Sequence, residues 1–250
     1  MTPSIFKIFS LLSKLFSVKL KIILLNINKN NTSKKMNIPR NKTIQELFEW
    51  RFKKTPNSVA HKFLDRETTY GNLDKYSNQI ANGLISLNCK PDSRVAYYGK
   101  NSDYFFECLV GTLKSNTVTV GVNWRLAPPE VSYVLNDSQS EVLFVGKEFY
   151  PVIDQILDEI PNIKTIIAID GGHETYSDFL SWRDSQDCSK PGLKSKKDDD
   201  ILQLYTSGTT GHPKGVQLTN KNFSAANDSI EGVVPFEEEV QIWYVCLGIM

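Results

Sequence analysis

The chain has 250 residues, 40% hydrophobic and 23% charged, which is typical of a globular protein with one large or two small domains. Its net charge of +1 conceals an asymmetry, because nine basic residues and no acidic one precede Glu46, and the mildly acidic remainder argues against nucleic acid as a partner. The four cysteines lie far apart with no Cys-x-x-Cys pair, which fits reduced thiols in a cytoplasmic protein better than a disulfide framework or a zinc site.

Residues 1–27 are apolar and basic, and we expect all of residues 1–42 to lie outside the folded domain. Polar residues, mostly lysine and serine, recur there at spacings of three and four, so on a helix they would share one face. Lysines interrupt every apolar run before it reaches the roughly 18 residues of a membrane span. The segment is interpreted as an amphipathic helix at a membrane surface, an organelle-targeting sequence, or a superfluous extension upstream of a true start at Met36.

The globular pattern begins at Thr43, in a domain predicted to occupy residues 43–250. Thr43 and Glu46 have the spacing of a capping box, which predicts a helix that stops before Pro56. A hairpin is predicted next, with its turn at Asp65-Arg66-Glu67, and then a helix from about Asn72 to Leu87. The apolar positions expected to be buried in the two helices are Ile44, Leu47, Phe48 and Phe52, and then Leu73, Tyr76, Ile80 and Leu84.

Strands and helices alternate over positions 95–169. Because the strands are apolar throughout, they indicate a sheet covered on both faces, so the predicted fold class is α/β, with layered sheets covered by helices. The predicted strands are Val95–Tyr98, Val118–Val122, Val142–Val145 and Ile163–Ile169. The predicted helices are Asp103–Lys114 capped by Ser102, one opening near Pro128 that buries Val131, Val134 and Leu135, and Tyr150–Glu159.

Positions 182–200 are polar and charged, and we interpret this stretch as a solvated linker. The elements predicted beyond it are the strands Ile201–Leu204 and Val216–Leu218, a helix capped by Thr219 or Asn220 that runs to about Ile230, and a buried strand over Val240–Leu247. The first two of these strands flank a loop, and this loop carries the strongest chemical signal in the sequence.

The loop reads Tyr205-Thr-Ser-Gly-Thr-Thr-Gly-His-Pro-Lys-Gly215. Its glycines let an anion approach the backbone N–H groups without meeting a Cβ, and its hydroxyl groups add further donors. Lys214 adds a positive charge where the outer phosphates of a nucleotide would lie. The common nucleotide loop places Ser or Thr after its lysine, whereas Gly215 follows Lys214 here, so a different phosphate contact is indicated. A hairpin without a ligand is the alternative, but it would not need Pro213 and Lys214 at this spacing.

Taken whole, the stretch Tyr205–Gly215 resembles the phosphate-loop motif of the acyl-adenylate-forming superfamily, the AMP-dependent synthetases and ligases. Thr69–Leu73 with Asn78–Leu84, and Gly121–Glu130 with Tyr133–Ser138, are also similar to segments of fatty-acyl-CoA synthetases. Within them, Trp124 and Arg125 are equally well explained as a core and a surface residue of a helix–strand junction. The resemblance covers about residues 43–250 and implies the first, truncated part of the large N-terminal domain of that fold.

The resemblance implies an ATP-dependent acyl-CoA ligase, which joins a fatty or related carboxylic acid to AMP with release of pyrophosphate and then passes the acyl group to coenzyme A. It implies Mg²⁺ as the metal, with Thr206 as its candidate ligand. The residues that it assigns to nucleotide binding are Thr206, Ser207, Gly208, Thr209, Thr210, Gly211 and Lys214.

Other motifs of that superfamily are not found in this sequence. These are an aromatic-Gly-x-Thr-Glu motif, a Thr-Gly-Asp motif and the lysine that drives adenylation, which is expected beyond Met250. Two hypotheses follow: an incomplete ligase chain that is inactive alone, or a short non-catalytic fragment that binds a nucleotide or another molecule. We expect the protein to be cytoplasmic. If residues 1–27 are translated, it is expected at a membrane surface or in an organelle instead.

Overall fold

The computed structural model describes residues 38–206 and 213–231. The predicted amphipathic segment 1–27, loop residues 207–212 and the predicted strand Val240–Leu247 lie outside the described residues. No helix within the described ranges is long and apolar enough to cross a lipid bilayer.

The first helix, α1 (Ile44–Lys54), begins at the predicted capping box. The backbone N–H of Glu46 donates to Thr43 Oγ1 at 3.2 Å, and the backbone N–H of Thr43 donates to the Glu46 carboxylate at 2.9 Å. Two amides of the first turn are therefore satisfied by side chains. Leu47 and Phe52 are buried, which confirms the predicted inner face of this helix.

The hairpin β1 (Val59–Phe63) and β2 (Arg66–Thr69) has a tighter turn than the sequence predicts. Phe63 pairs with Arg66, so Leu64 and Asp65 form the turn, and Leu64 adopts a left-handed conformation with a φ of 56°. Arg66 belongs to the strand as a result. Its guanidinium forms a bidentate ion pair with the Asp103 carboxylate, with both N–O distances at 2.7 Å.

Helices and strands alternate after the hairpin, as predicted. The strands are β3 (Arg94–Tyr98), β4 (Val118–Val122), β5 (Ser140–Gly146), β6 (Thr165–Ile169), β7 (Ser177–Asp178), β8 (Asp200–Thr206) and β9 (Lys214–Thr219). The helices are α2 (Tyr70–Ser86), α3 (Asp103–Ser115), α4 (Pro128–Asp137), α5 (Tyr150–Gln155), α6 (Phe179–Asp184) and α7 (Asn220–Glu231). These strands form one sheet in the order β7-β6-β5-β3-β4-β8-β9, in which only the β8–β9 pair is antiparallel.

Two apolar layers cover opposite faces of this sheet, which confirms the α/β architecture. On one face, Val95 and Tyr97 of β3 pack against Phe105 and Leu109 of α3. On the other face, the alternate β3 residues Ala96 and Tyr98 pack in a second layer. That layer also contains the predicted α4 residues Val131, Val134 and Leu135, each 0% exposed.

The helix predicted over Tyr150–Glu159 is interrupted. α5 ends at Gln155, and a short 3₁₀ turn follows over Leu157–Glu159. The backbone N–H of Glu159 donates to Ile156 O at 2.8 Å, an i to i−3 bond that tightens the chain here. Ile153, Ile156 and Ile160 all stay within the same buried layer, so the change of helix type preserves the apolar face that the periodicity predicts.

The solvated-linker interpretation of residues 182–200 does not hold for the first part of that stretch. Trp182 and Arg183 belong to α6, and the Trp182 ring lies so close to Gly83 that a Cβ at Gly83 would be 2.4 Å from Trp182 Cζ2. Beyond α6, polar side chains of α2 donate to backbone carbonyls of this stretch, as Asn78 does to Cys188 O at 3.1 Å. The backbone of this part is therefore held against α2. The second part exposes side chains such as Lys196 and Asp198, but its backbone is bonded to the fold as well, since Gln45 Nε2 donates to Leu193 O at 2.8 Å and Gln45 Oε1 accepts from the backbone N–H of Ser195 at 2.8 Å.

A buried ion pair joins α6 to α3. Arg183 Nη1 donates to Glu107 Oε2 at 2.7 Å, and both side chains are almost fully buried. The Arg183 guanidinium also lies 4.0 Å from the centre of the Tyr76 ring. Burial raises the pKa of Glu107 to about 7, although the neighbouring Arg183 acts in the opposite direction.

We expect Arg183→Ala to lower the free energy of unfolding by about 3 kcal/mol, because it leaves Glu107 buried without its partner. The loss should increase above pH 7, because without Arg183 the folded chain keeps the Glu107 proton to a higher pH than the natural chain does, while the unfolded chain has already released it. Urea unfolding at pH 6 and pH 8 measures both effects. The control is Lys164→Ala, which breaks the exposed Lys164–Glu141 pair and should cost less than about 1 kcal/mol. Equal losses in the two variants would contradict this account.

A second buried charge connects α3 to α2. The Lys114 side chain is 2% exposed, and its ammonium donates to Asp74 Oδ1 at 2.5 Å and to Asn78 Oδ1 at 2.6 Å. It also lies 4.8 Å from the centre of the Phe52 ring. Burial nevertheless lowers the pKa of Lys114 from its ordinary 10.5 to about 8.

This lowered pKa predicts a pH effect of definite sign. Between pH 8 and pH 10.5 the unfolded chain holds the Lys114 proton and the folded chain releases it, so stability contributed by this position rises with pH. We expect the stability of the natural chain, relative to Lys114→Met, to increase by about 3 kcal/mol across this window. Urea unfolding of both proteins from pH 7.5 to pH 10.5 measures the difference. A difference that stays constant or falls would show that the ammonium is not strained by burial.

Candidate functional site

The predicted phosphate loop is carried by the hairpin β8–β9. Thr206, the last residue of β8, is directly opposite Lys214, the first residue of β9. Both residues are exposed, so the hydroxyl and the ammonium group reach solvent from the same rung of the hairpin. Ser207, Gly208, Thr209, Thr210 and Gly211 lie outside the described residues, and their contacts with a nucleotide remain predictions.

This rung lies at the carboxyl edge of the parallel strands. β4 and β8 are parallel, with Gly121 opposite Leu204, so the chain leaves both strands at the same edge of the sheet. Here the connections diverge, because α3, which follows β3, packs on one face and α4, which follows β4, packs on the other. Open α/β sheets bind their ligands in the crevice at such a divergence. The fold therefore places Thr206 and Lys214 beside a favoured ligand position.

Gly215, the last residue of the motif, is required by packing. A Cβ at this position would lie 2.7 Å from Gln203 Nε2 and 3.2 Å from both Cζ and Oη of Tyr205. The first separation is shorter than real Cβ atoms show and the other two are tight, so any larger residue would displace the Gln203 and Tyr205 side chains. The missing side chain therefore lets the Tyr205 ring lie against the backbone of β9.

The Tyr205 hydroxyl group connects the hairpin to α4. It donates to Asp137 Oδ2 at 2.6 Å and accepts from Gln203 Nε2 at 3.0 Å. Burial, and then the hydrogen bond to Asp137, raise the pKa of Tyr205, so the hydroxyl keeps its proton and acts as the donor to the carboxylate. This contact fixes the ring at the start of the motif.

The series of hydrogen bonds through Tyr205 and Gln203, here called the polar line, continues towards the amino ends of the strands. Gln203 Oε1 accepts from Arg94 Nε at 3.2 Å, and Arg94 is paired with Asp92 at 2.6 Å and with Asp200 at 3.4 Å. Gln203 is buried and uses both ends of its amide group, which is what a buried polar side chain requires. The line orients the side chains of β8 along most of the strand.

The second end of the loop is also in contact with α4. The Tyr133 hydroxyl donates to Pro213 O at 3.2 Å, and Pro213 directly precedes Lys214. Tyr133 and Asp137 are four residues apart on α4, so they lie one turn apart on one side of the helix. One helix thus contacts the chain on both sides of residues 207–212.

Trp124 and Arg125 lie in the connection that follows β4. The Arg125 guanidinium is stacked on the Trp124 ring at 4.0 Å from its centre, and Lys100 Nζ lies 5.5 Å from that centre. Lys100 is also paired with Glu148 at 2.7 Å. Trp124 is half-buried against the α4 layer and Arg125 is exposed, so the junction interpretation fits their packing. The arrangement adds positive charge to the edge at which Lys214 lies.

The described residues were predicted to supply one metal ligand, the Thr206 hydroxyl. Within residues 38–206 and 213–231, no group of three or more His, Cys, Asp or Glu side chains is arranged to hold a metal ion. Mg²⁺ that binds with a nucleotide needs few protein ligands, because phosphate oxygens and water complete its coordination. An exposed hydroxyl at the carboxyl edge fits that requirement, and the role of Thr206 as a Mg²⁺ ligand stays a prediction.

Sequence reasoning did not single out Tyr133 or Asp137 as functional residues. The signal was present, since both lie in the stretch Tyr133–Ser138 that resembles fatty-acyl-CoA synthetases, and a spacing of four puts them on one side of a helix. Their contact with the loop ends depends on how α4 crosses the sheet. The periodicity of the sequence gives no information on that crossing.

The similar proteins of known function that we report are ligases of fatty acids. The chain is 38% identical over 193 residues to the fatty acid–[acyl-carrier-protein] ligase ScoC of Streptomyces coeruleorubidus, a match that covers 77% of this chain and 36% of the relative. It is 36% identical over 166 residues to the long-chain-fatty-acid–CoA ligase FadD13 of Mycobacterium tuberculosis, covering 66% of this chain and 32% of the relative. The chain therefore spans about a third of the length of the curated relatives it matches.

Solved structures agree with the sequence matches. The N-terminal domain of FACL13 from Mycobacterium tuberculosis, determined with an inhibitor bound, superposes with a TM-score of 0.70 at 31% identity, covering 77% of this chain and 48% of that one. The anthranilate CoA ligase AuaEII, in complex with anthranoyl-AMP, superposes with a TM-score of 0.69 at 30% identity, covering 74% of this chain and 37% of that one. Residues 48–248 match the family described as AMP-binding enzyme, and the chain belongs to this family of acyl-adenylate-forming ligases.

Proposed function

We propose that this chain provides the phosphate-binding region of an ATP-dependent ligase that activates a fatty or related carboxylic acid as its acyl-adenylate. The observation that carries the proposal is the rung formed by Thr206 and Lys214 at the carboxyl edge of the sheet. Family membership supports it, because the matched region includes both strands of the hairpin and the sequence between them.

The first step joins the carboxylate to the α-phosphorus of ATP. A carboxylate oxygen forms a bond to that phosphorus, the bond to the bridging oxygen breaks, and pyrophosphate leaves with both electrons of that bond. Carboxylate and triphosphate are both anionic, so the step requires positioning and charge stabilisation above all. In this proposal Lys214 lies against the β- and γ-phosphates and stabilises the charge of the departing pyrophosphate.

The remaining loop residues have a matching role in the proposal. Ser207, Thr209 and Thr210 donate hydroxyl protons to phosphate oxygens, and Gly208 and Gly211 allow close approach of the backbone N–H groups. The Thr206 hydroxyl is the one proposed ligand in this region for Mg²⁺, which would neutralise part of the charge of the nucleotide when bound. Asp137 and Tyr205 do not contact the phosphates, and their role is to hold the hairpin.

A thiol accepts the acyl group in the second step. Its sulfur forms a thioester with the acyl carbon, AMP leaves, and the thiol proton passes to solvent or to a base. We propose coenzyme A as the acceptor, as in FadD13 and the other CoA ligases among the relatives. The similarity to ScoC favours a carrier-protein thiol as the second candidate. Product analysis with each acceptor and one radiolabelled fatty acid decides between them.

Lys214→Ala tests the phosphate contact directly. We expect the variant to bind MgATP at least tenfold more weakly than the natural chain, because a charge-assisted contact with the phosphates is lost. Isothermal titration with MgATP measures the affinity. In the full-length gene product, exchange of labelled pyrophosphate into ATP should fall by at least the same factor.

The matched control for this test is Lys221→Ala. Lys221 is an exposed lysine in the first turn of α7, in the same part of the chain but away from the Thr206–Lys214 rung. This variant should bind MgATP like the natural chain. Equal affinity in all three proteins would remove Lys214 from the site, and a natural chain that does not bind MgATP would overturn the proposed function.

A further inference from the structure

We propose that α4 is the positioning element of the phosphate loop, with Tyr133 and Asp137 holding its two ends in place. The inference rests on the proposed function for its consequence, the binding of ATP. The contacts themselves are independent of any ligand, so the element can be tested without a nucleotide.

The contact at the first end involves Asp137 and Tyr205. The hydroxyl–carboxylate distance of 2.6 Å is that of a strong, charge-assisted hydrogen bond. Asp137 is the last residue of α4, where a negative charge is unfavourable beside the negative end of the helix dipole. An acidic residue therefore lowers the stability of the helix at this point, and its contact with Tyr205 supplies a reason for its presence.

The contact at the second end involves Tyr133 and Pro213. The Tyr133 hydroxyl donates to Pro213 O at 3.2 Å. The next residue is Lys214. A restraint on Pro213 therefore restrains the starting point of the lysine that is proposed to bind the outer phosphates.

α4 has a rigid base from which to make both contacts. Val131, Val134 and Leu135 on its inner side are each 0% exposed, which fixes the helix on the sheet. The Glu130 carboxylate accepts the backbone N–H of Ala127 at 2.8 Å and caps the first turn. Tyr133, half-buried against the same layer, and the exposed Asp137 extend from this base to the hairpin.

The two contacts with α4 determine where the Thr206–Lys214 rung lies along the carboxyl edge of the sheet. The β8–β9 ladder fixes Thr206 opposite Lys214, whereas the contacts with α4 fix that rung relative to the divergence of α3 and α4. Loss of these contacts should therefore weaken the binding of ATP without changing the affinity for the carboxylic acid. A purely structural role would instead lower global stability and leave the two affinities in proportion.

Three variants separate these roles: Tyr133→Phe, Asp137→Ala and the combination of both. The matched control is Asn136→Ala, which removes a hydrogen bond of similar length from the same helix, the 2.7 Å bond from Asn136 Nδ2 to Glu159 O. Circular dichroism melting establishes that all four proteins fold.

The first readout is trypsin cleavage after Lys214, followed by mass spectrometry without any nucleotide. The rate is expressed relative to cleavage after Lys196, an exposed site in the stretch that precedes β8. We expect cleavage after Lys214 to be about fivefold faster in each single variant and faster again in the combination, because the lost hydrogen bonds no longer oppose local opening. The Asn136→Ala chain should be cleaved at the natural rate. Equal rates in all four proteins would overturn the proposal.

The second readout is MgATP affinity by titration and, in the full-length gene product, the KM for ATP and for the carboxylic acid. We expect the variants to raise the dissociation constant and the KM for ATP about fivefold per contact and to leave the KM for the acid unchanged. Faster cleavage with unchanged ATP affinity would overturn the positioning role. A natural chain that binds no MgATP would instead refute the proposed function, while the cleavage rates still decide whether α4 holds the hairpin.

Discussion

The parallel pairing of β4 with β8 is the constraint on which the candidate site depends. β8 is separated from β4 by more than 70 positions in the chain, yet it adds to β4 with Thr119 opposite Leu202. Three consecutive pairs fix the register, and a slip of one residue would move every side chain of β8 to the opposite covered face of the sheet. β9 pairs antiparallel with β8. The same register therefore decides how far Thr206 and Lys214 lie beyond the carboxyl end of β4. Backbone pairing thus sets the register of the hairpin, and side-chain contacts with α4 hold both of its ends.

The helices α3 and α4, on opposite faces of the sheet, make this position a favoured place for a ligand. α3 and α4 leave neighbouring strands in opposite directions, which opens a crevice between their connections. α4 serves both purposes, since its inner side belongs to the core and its residues Tyr133 and Asp137 contact the hairpin. Lys100, Arg125 and Lys214 carry positive charge near this edge, and Lys100 is paired there with Glu148. The carboxyl end of β8 therefore lies among hydrogen-bond donors, whereas its amino end carries the Arg94–Asp200 ion pair.

Most elements of the fold could be predicted from the sequence, because their signals are local. The capping box at Thr43, the cap at Ser102 and the continuous apolar strands each depend on residues that are close in the chain. The errors arose where distant contacts decide the structure. The polar composition of the stretch after Trp182 resembles that of a linker, but its backbone is bonded to α2, about a hundred positions earlier. The position of the phosphate loop was predicted from its motif, whereas the contacts that hold its ends required the three-dimensional arrangement of α4.

Gly215 shows that a residue of a ligand-binding motif can be kept for a reason unrelated to the ligand. Its hydrogen atom faces Gln203 and the Tyr205 ring, so it is matched to the neighbouring strand within the same hairpin. The stretch Tyr205–Gly215 consequently depends on residues outside it, such as Gln203 and Asp137. Grafted onto the hairpin of another protein, it would bring its glycine without the glutamine beneath it and its tyrosine without an acidic acceptor on an adjacent helix. Transfer of the proposed phosphate loop to another protein would require β8, β9 and α4 together, because α4 contacts the chain at both ends of the loop.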